Sequence, residues 1–195
     1  MNFLAHVYLS GNDREIIVGN FIGDFVKGKN VLEQYAPGIA KGIELHRSID
    51  DFTDNHPVVT QSKKRLYEKY HHYAAVIVDM YYDHLLAHHW SDFHDEPLRV
   101  YTLNIYKVLM DHHDILPDEV RRMLMYMMRD NWLFGYAKLE GIHRALSGMS
   151  RRTKFQSHME EAIVDLEQHY DAFKGDFFTF FPDLKAHAGN FLKSI

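Results

Sequence analysis

The run Gly42-Ile-Glu-Leu-His-Arg-Ser-Ile-Asp-Asp-Phe-Thr-Asp-Asn-His-Pro57 constrains this chain more than any other stretch. His46, Asp50 and Asp54 recur at intervals of four, which on a helix stacks them on one face, one turn above another. No lysine lies among them. A face of imidazole and carboxylate is poorly suited to packing, so it is expected to bind protons or a cation. Two other stretches repeat the spacing in strongly apolar surroundings: Asn20 with Asp24, and Asp79 with Asp83. An unpaired buried carboxylate is costly, and buried charges are normally paired or coordinate a metal. Three polar pairs on three helices, meeting at one cation, would remove the cost.

Composition narrows the function classes. At 195 residues, 46% hydrophobic and 25% charged, the chain suits one domain, 1–195, with a sizeable core. A net charge of -5 argues against general nucleic-acid binding, which calls for a basic footprint. The absence of cysteine excludes disulfides, thiolate metal sites and a cysteine nucleophile, and fits a reducing cytoplasm. No apolar run approaches the ~20 residues of a membrane span, so no membrane association is expected. Most of the fifteen histidines are expected to face solvent, since many come as adjacent pairs that point to different sides of a helix.

Nowhere does a sustained alternation with β-branched residues mark a strand. The chain reads as an all-α bundle of about eight helices. A short apolar helix spans 2–10 and carries His6. A second, capped by Asn12 or Asp13, runs to about Val26 and stops at Lys27-Gly28. Pro37 opens a third, which ends before His56-Pro57. Val58–Tyr70 is amphipathic and basic, and Ala74–Trp90 is the most apolar and the expected centre. Pro97–His113, Pro117–Asn131 and Trp132–Ser147 follow. Phe155–Phe173 is amphipathic, and a Phe-rich segment leads to Pro182 and a last short helix.

Imidazole and carboxylate ligands without thiolate suit Mn, Fe, Zn or Mg. The natural chemistry of such a site is metal-activated water attacking an electrophile. Asp83-His84 reverses the adjacent His-Asp pair of metal-dependent phosphohydrolases. Glu140-Gly-Ile-His143 matches half of the di-iron bundle signature, but no second copy is suitably placed. No P-loop, His-Glu-x-x-His or Gly-x-Ser-x-Gly is present. Arg151, Arg152 and Lys154 form the densest basic cluster, which in an acidic chain suits docking of an acidic partner.

Several long motifs together resemble the acyl carrier protein phosphodiesterase family. They are Met1-Asn-Phe-Leu-Ala-His6, Gly19-Asn-Phe-Ile-Gly-Asp-Phe-Val-Lys-Gly28, the run 42–57, and Val78-Asp-Met-Tyr-Tyr-Asp-His-Leu-Leu-Ala87, with Asp130-Asn-Trp-Leu133 and Arg151-Arg152. One departure is Gly23, where the family pattern more often has alanine, a change expected to leave the chemistry untouched. The resemblance implies hydrolysis of the phosphodiester joining 4'-phosphopantetheine to a serine of acyl carrier protein. It also implies a divalent cation, preferably manganese, a distant kinship with the HD-domain phosphohydrolase fold, and a small acidic partner. On that reading Asp24, His46, Asp50, Asp79 and Asp83 are the expected metal ligands, with His6 and His84 as further candidates. Arg47 or an imidazole would neutralise phosphoryl charge, and His84 or His56 would protonate the leaving oxygen. Two alternatives stay open: a metal-dependent hydrolase of nucleotides or other small phosphoesters, and a non-catalytic helical module that binds carrier protein.

Overall fold

The computed structural model describes residues 1–28 and 32–194. Eleven α-helices account for the fold, with no strand among the described residues: α1 (Phe3–Leu9), α2 (Arg14–Ile22), α3 (Pro37–Asn55), α4 (Pro57–Tyr70), α5 (Ala74–His88), α6 (Leu98–Asp111), α7 (Asp118–Asp130), α8 (Trp132–Gly135), α9 (Leu139–Ser150), α10 (Ala162–Gln168) and α11 (Tyr170–Ser194). The all-α reading holds. The count exceeds the expected eight or so: of the ten spans marked in the sequence, two are broken by connections that periodicity alone cannot resolve, and the last two merge in α11.

The boundaries follow local chemistry. Asp13 caps α2, its carboxylate accepting from the N–H groups of Glu15 and Ile16. Pro37 and Pro57 sit in the first turns of α3 and α4, where a missing N–H costs nothing. Asn131, in the left-handed region at φ 42°, ends α7 and turns the chain into α8. The span 132–147, expected as one helix, is interrupted between Gly135 and Leu139. The helix expected from Phe155 begins only at Ala162 and breaks at His169.

Pro182 does not end the last helix. α11 runs through it for 25 residues. A proline inside a helix costs about 3 kcal/mol, chiefly through a lost hydrogen bond and a clash one turn back. Here Pro182 faces solvent, so water can satisfy the freed carbonyl, while Phe177, Phe180, Phe181, Leu184 and Ala188 are buried on both sides of it. Each such large side chain contributes roughly 1.5–3 kcal/mol, and their sum outweighs the proline.

α5 is the axis of the molecule. From Met80 to Ala87 every residue is buried, and the apolar residues around it form one continuous core. Beside this axis, α2 and α3 are set unusually close to each other. A Cβ on Gly19 would lie 2.0 Å from the Ile39 carbonyl oxygen, and one on Gly42 would lie 2.3 Å from that of Ile16. The bare glycines let α2 and α3 touch backbone to backbone, and this approach builds the site.

Candidate metal centre

His6 from α1 and His46 and Asp50 from α3 converge at the end of the α1–α3 trio, close enough to share an ion, and Asp24, from the 3-10 turn that follows α2, joins them through His46. Both imidazoles are buried, and their rings stack with centroids 4.0 Å apart. Asn20 fixes both. Its side-chain oxygen accepts from His6 Nδ1 at 2.8 Å, and its main-chain carbonyl accepts from His46 Nδ1 at 2.8 Å. The amide orientation of Asn20 is set because its Nδ2 donates to the His6 carbonyl and to Ser10 Oγ. Each ring therefore carries its proton on Nδ1 and turns Nε2 toward the carboxylates.

The distances there are short. His46 Nε2 lies 3.1 Å from Asp50 Oδ2 and 3.3 Å from Asp24 Oδ1, and His6 Nε2 lies 3.2 Å from Asp50 Oδ1. The His6 contact lacks hydrogen-bond geometry, and its Nε2 is a buried nitrogen without a hydrogen-bond partner among the described residues. In the neutral tautomers, lone pairs would face carboxylate oxygens, an arrangement stable only around a proton or a cation. Burial pulls the His46 imidazole down, but the carboxylates of Asp24 and Asp50 more than offset this and push it up to about 9. Burial also raises Asp50, yet His46 and His6 hold it well below the usual carboxylate range. Asp24 is lowered by its contact with His46, and His6 is lowered, mainly by burial. The donor set thus fits a divalent cation of the kind imidazole and carboxylate take. Its imidazole wall is dry, while Asp50 and Asp24 are 39% and 66% exposed, leaving one side open to substrate.

The remaining expected site residues lie elsewhere. Asp79 sits at the edge of the cluster, with the Met1 amino group between it and Asp50, 3.1 Å from Asp79 Oδ1 and 3.9 Å from Asp50 Oδ1. Asp83 is fully buried and accepts from the backbone N–H groups of Asn2, Leu4 and Ala5, so it caps the start of α1 instead of joining the cluster. Burial pushes its carboxyl up to about 7 against the pull of those N–H groups. Asp54 is exposed and pairs with Lys63.

Arg47 turns away from the cluster and donates to the carbonyls of Val26 and Gly28, strapping the segment that follows Asp24. His84 has both ring nitrogens engaged, by the Tyr136 carbonyl and the Tyr170 hydroxyl, and burial pushes it down to about 4. His56 caps α4 by accepting from Val58 N–H, and its Nε2 faces Asp183. It lies ten residues beyond His46, about 15 Å along the helix axis. Arg151, Arg152 and Lys154 are exposed at and beyond the end of α9, and the first two have their stems pinned by Nε–H bonds to the Ser147 and Gly148 carbonyls.

Two features escaped the sequence reading. Asn20 was visible as one of a spaced pair, but its use of side chain and carbonyl on two different histidines depends on the α2–α3 approach. Gly23 is not indifferent to the chemistry: a Cβ there would stand 2.2 Å from Cγ of His46, so the bare backbone seats that ring.

An all-α protein with two buried histidines facing two partly exposed carboxylates has the makings of a hydrolase. Comparison with known proteins names the group. A family model described as acyl carrier protein phosphodiesterase matches residues 1–184. A protein of that name from Escherichia coli O6:H1 is 33% identical over 192 residues, covering 96% of this chain and 97% of its own. One from Photorhabdus laumondii subsp. laumondii is 33% identical over 195 residues, covering 97% and 96%. No solved structure matches. The chain belongs to the acyl carrier protein phosphodiesterase family.

Proposed function

We propose that the protein hydrolyses holo-acyl carrier protein to apo-carrier and 4'-phosphopantetheine, with a divalent cation, manganese by preference, held by His6, His46, Asp50 and Asp24. The observation that carries this is the pair of stacked imidazoles whose Nε2 atoms face carboxylates across 3.1–3.2 Å, contacts that only a shared proton or a cation can hold. When bound, the cation supplies Lewis acidity, polarising the phosphodiester and making water nucleophilic at neutral pH.

The chain supplies the rest. Asn20 holds both histidines in the tautomer that presents Nε2, the outer-shell role that metal-ligating histidines require. Arg47 restrains the backbone behind Asp24, which keeps that exposed carboxylate at the centre. The buried rings exclude water from one side, and the exposed carboxylates leave the other for the scissile bond. His84 is a neutral imidazole at neutral pH, its one ring proton held by the Tyr136 carbonyl, and His56 lies too far along α3, so we assign protonation of the leaving serine oxygen to water at the open side. Arg151, Arg152 and Lys154 would attract the acidic carrier. No helix among the described residues is long and apolar enough to cross a membrane, and we place the activity in the cytoplasm, with the carrier.

The test is purified protein with manganese and holo-carrier, followed by intact mass. Loss of the 4'-phosphopantetheine mass supports the reading. Release of phosphate or nucleoside from a nucleotide, with the carrier untouched, would point to a small-phosphoester hydrolase. Carrier binding that persists in chelator without conversion would point to a binding module.

A further inference from the structure

A cavity of about 350 Å³ opens between α1, α7, α8 and α9, away from the metal-binding side chains, and the proposed reaction does not use it. Phe3, Met123, Trp132, Tyr136, Ala145 and Met149 give it an apolar, largely aromatic and thioether lining. Its exposed edge carries Arg144, Arg151 and Arg152 against one carboxylate, Asp130, which is already held by Arg129. The surrounding segment, residues 121–154, has eight Lys or Arg and two Asp or Glu, in a chain whose net charge is -5. A greasy hole with a basic rim fits a ligand that is apolar at its tip and attached to something acidic.

Helix α1 links the cavity to the centre, with Phe3 in the wall of the one and His6 in the other. Phe3, in its wall, is two residues from Met1, whose nitrogen lies 3.9 Å from Asp50 Oδ1. At about 3.8 Å per residue, the Cα of Phe3 is within roughly 8 Å of that of Met1. A flexible arm cleaved at the cation could lay its far end here. Gly148 lines the cavity, and a Cβ added to it would meet nothing within 4 Å, so the bare backbone keeps space that a side chain could occupy without strain.

We propose that this cavity is the subsite for the acyl end of an acylated carrier's arm, and that residue 148 sets the chain length it accepts. The proposal rests on the phosphodiesterase reading and specifies its substrate. At about 30 Å³ per water-sized group, the volume holds on the order of ten heavy atoms, or a chain of about eight to ten carbons. Each methylene moved out of water improves binding roughly fourfold.

The experiment measures kcat/KM for arm release, with manganese, from holo-carrier and from carriers bearing chains of increasing length, for the wild type and Gly148→Leu. The wild type is expected to gain roughly fourfold per methylene over the part of the chain that enters, then level off near eight to ten carbons. In Gly148→Leu the ratio of acyl to holo kcat/KM is expected to fall at least tenfold, with Gly148→Ala between; should Gly148→Leu melt early, Ala145→Leu replaces it. Release that ignores or declines with chain length in the wild type overturns the subsite and leaves the phosphodiesterase reading standing. Equal losses on holo- and acyl-carriers in Gly148→Leu overturn it too, because the cavity would then hold the arm itself. No release from any carrier by the wild type overturns the phosphodiesterase reading, and the subsite with it.

Discussion

Helix α1 meets two aspartates that are used in opposite ways. Asp83 is wholly buried and accepts three backbone N–H groups at the start of the helix, so its charge and lone pairs are absorbed by the fold. Asp50 faces His6 of the same helix, and His46, across contacts of 3.1–3.2 Å that the neutral groups cannot satisfy. The lesson is one of hydrogen-bond accounting. A buried acid whose partners are all donors is a structural cap. A partly exposed acid whose imidazole partners can satisfy it only by holding a proton is prepared for a cation.

Substitutions should separate the two sharply. Asp50→Ala is expected to lower kcat/KM about a thousandfold, since a Lewis acid contributes several kcal/mol, while the melting temperature moves little. Asp83→Ala should do the reverse. Leaving three N–H groups without their acceptor costs on the order of 3 kcal/mol, read by urea unfolding, and the folded fraction should keep activity within about tenfold. Equal effects on activity from the two substitutions would erase the contrast.

The pH dependence sharpens it. His46 is raised in the fold, so its contribution to stability is full below about 6.5 and is lost as pH rises through about 9. In chelator this amounts to about 3 kcal/mol between those limits, counted once for the His46–Asp50 pair. His46→Gln should lack the decline, and manganese should flatten it by taking the proton's place. Asp83 is raised too, so its contribution is full below about 4 and fades toward 7. Manganese should leave that portion unchanged. Urea midpoints at pH 4, 6.5 and 9.5, with and without metal, distinguish the two.

The comparison also marks what the sequence could show. The interval of four placed His46 and Asp50 on one face, and the absence of strand patterning fixed the all-α class. The same interval offered Asp83 as a ligand, because spacing within one helix cannot reveal that another helix presents its N-terminus there. Arg47 and His56, given roles on the strength of the family resemblance, share the run with His46 and Asp50 but not their face. A residue one position away points around the helix, and one ten positions away is nearly three turns off. Pro182 read as a stop because its exposure, and the buried phenylalanines around it, are tertiary facts.

The smallest expected effect lies at the basic rim. Arg151→Ala with Arg152→Ala should raise KM for holo-carrier about tenfold at low ionic strength, shrinking toward twofold at high salt, because exposed charges are screened. A salt-independent loss would mean that these arginines act through packing.

The most direct test is a manganese titration of the purified protein, followed by the loss of the free-ion electron paramagnetic resonance signal, in the wild type, Asp50→Ala, His46→Ala and Asp83→Asn. Tight binding is expected in the wild type and Asp83→Asn, and its loss in Asp50→Ala and His46→Ala. Binding unaffected by Asp50→Ala and His46→Ala, or abolished by Asp83→Asn alone, would contradict the assignment of the cation to the stacked histidines.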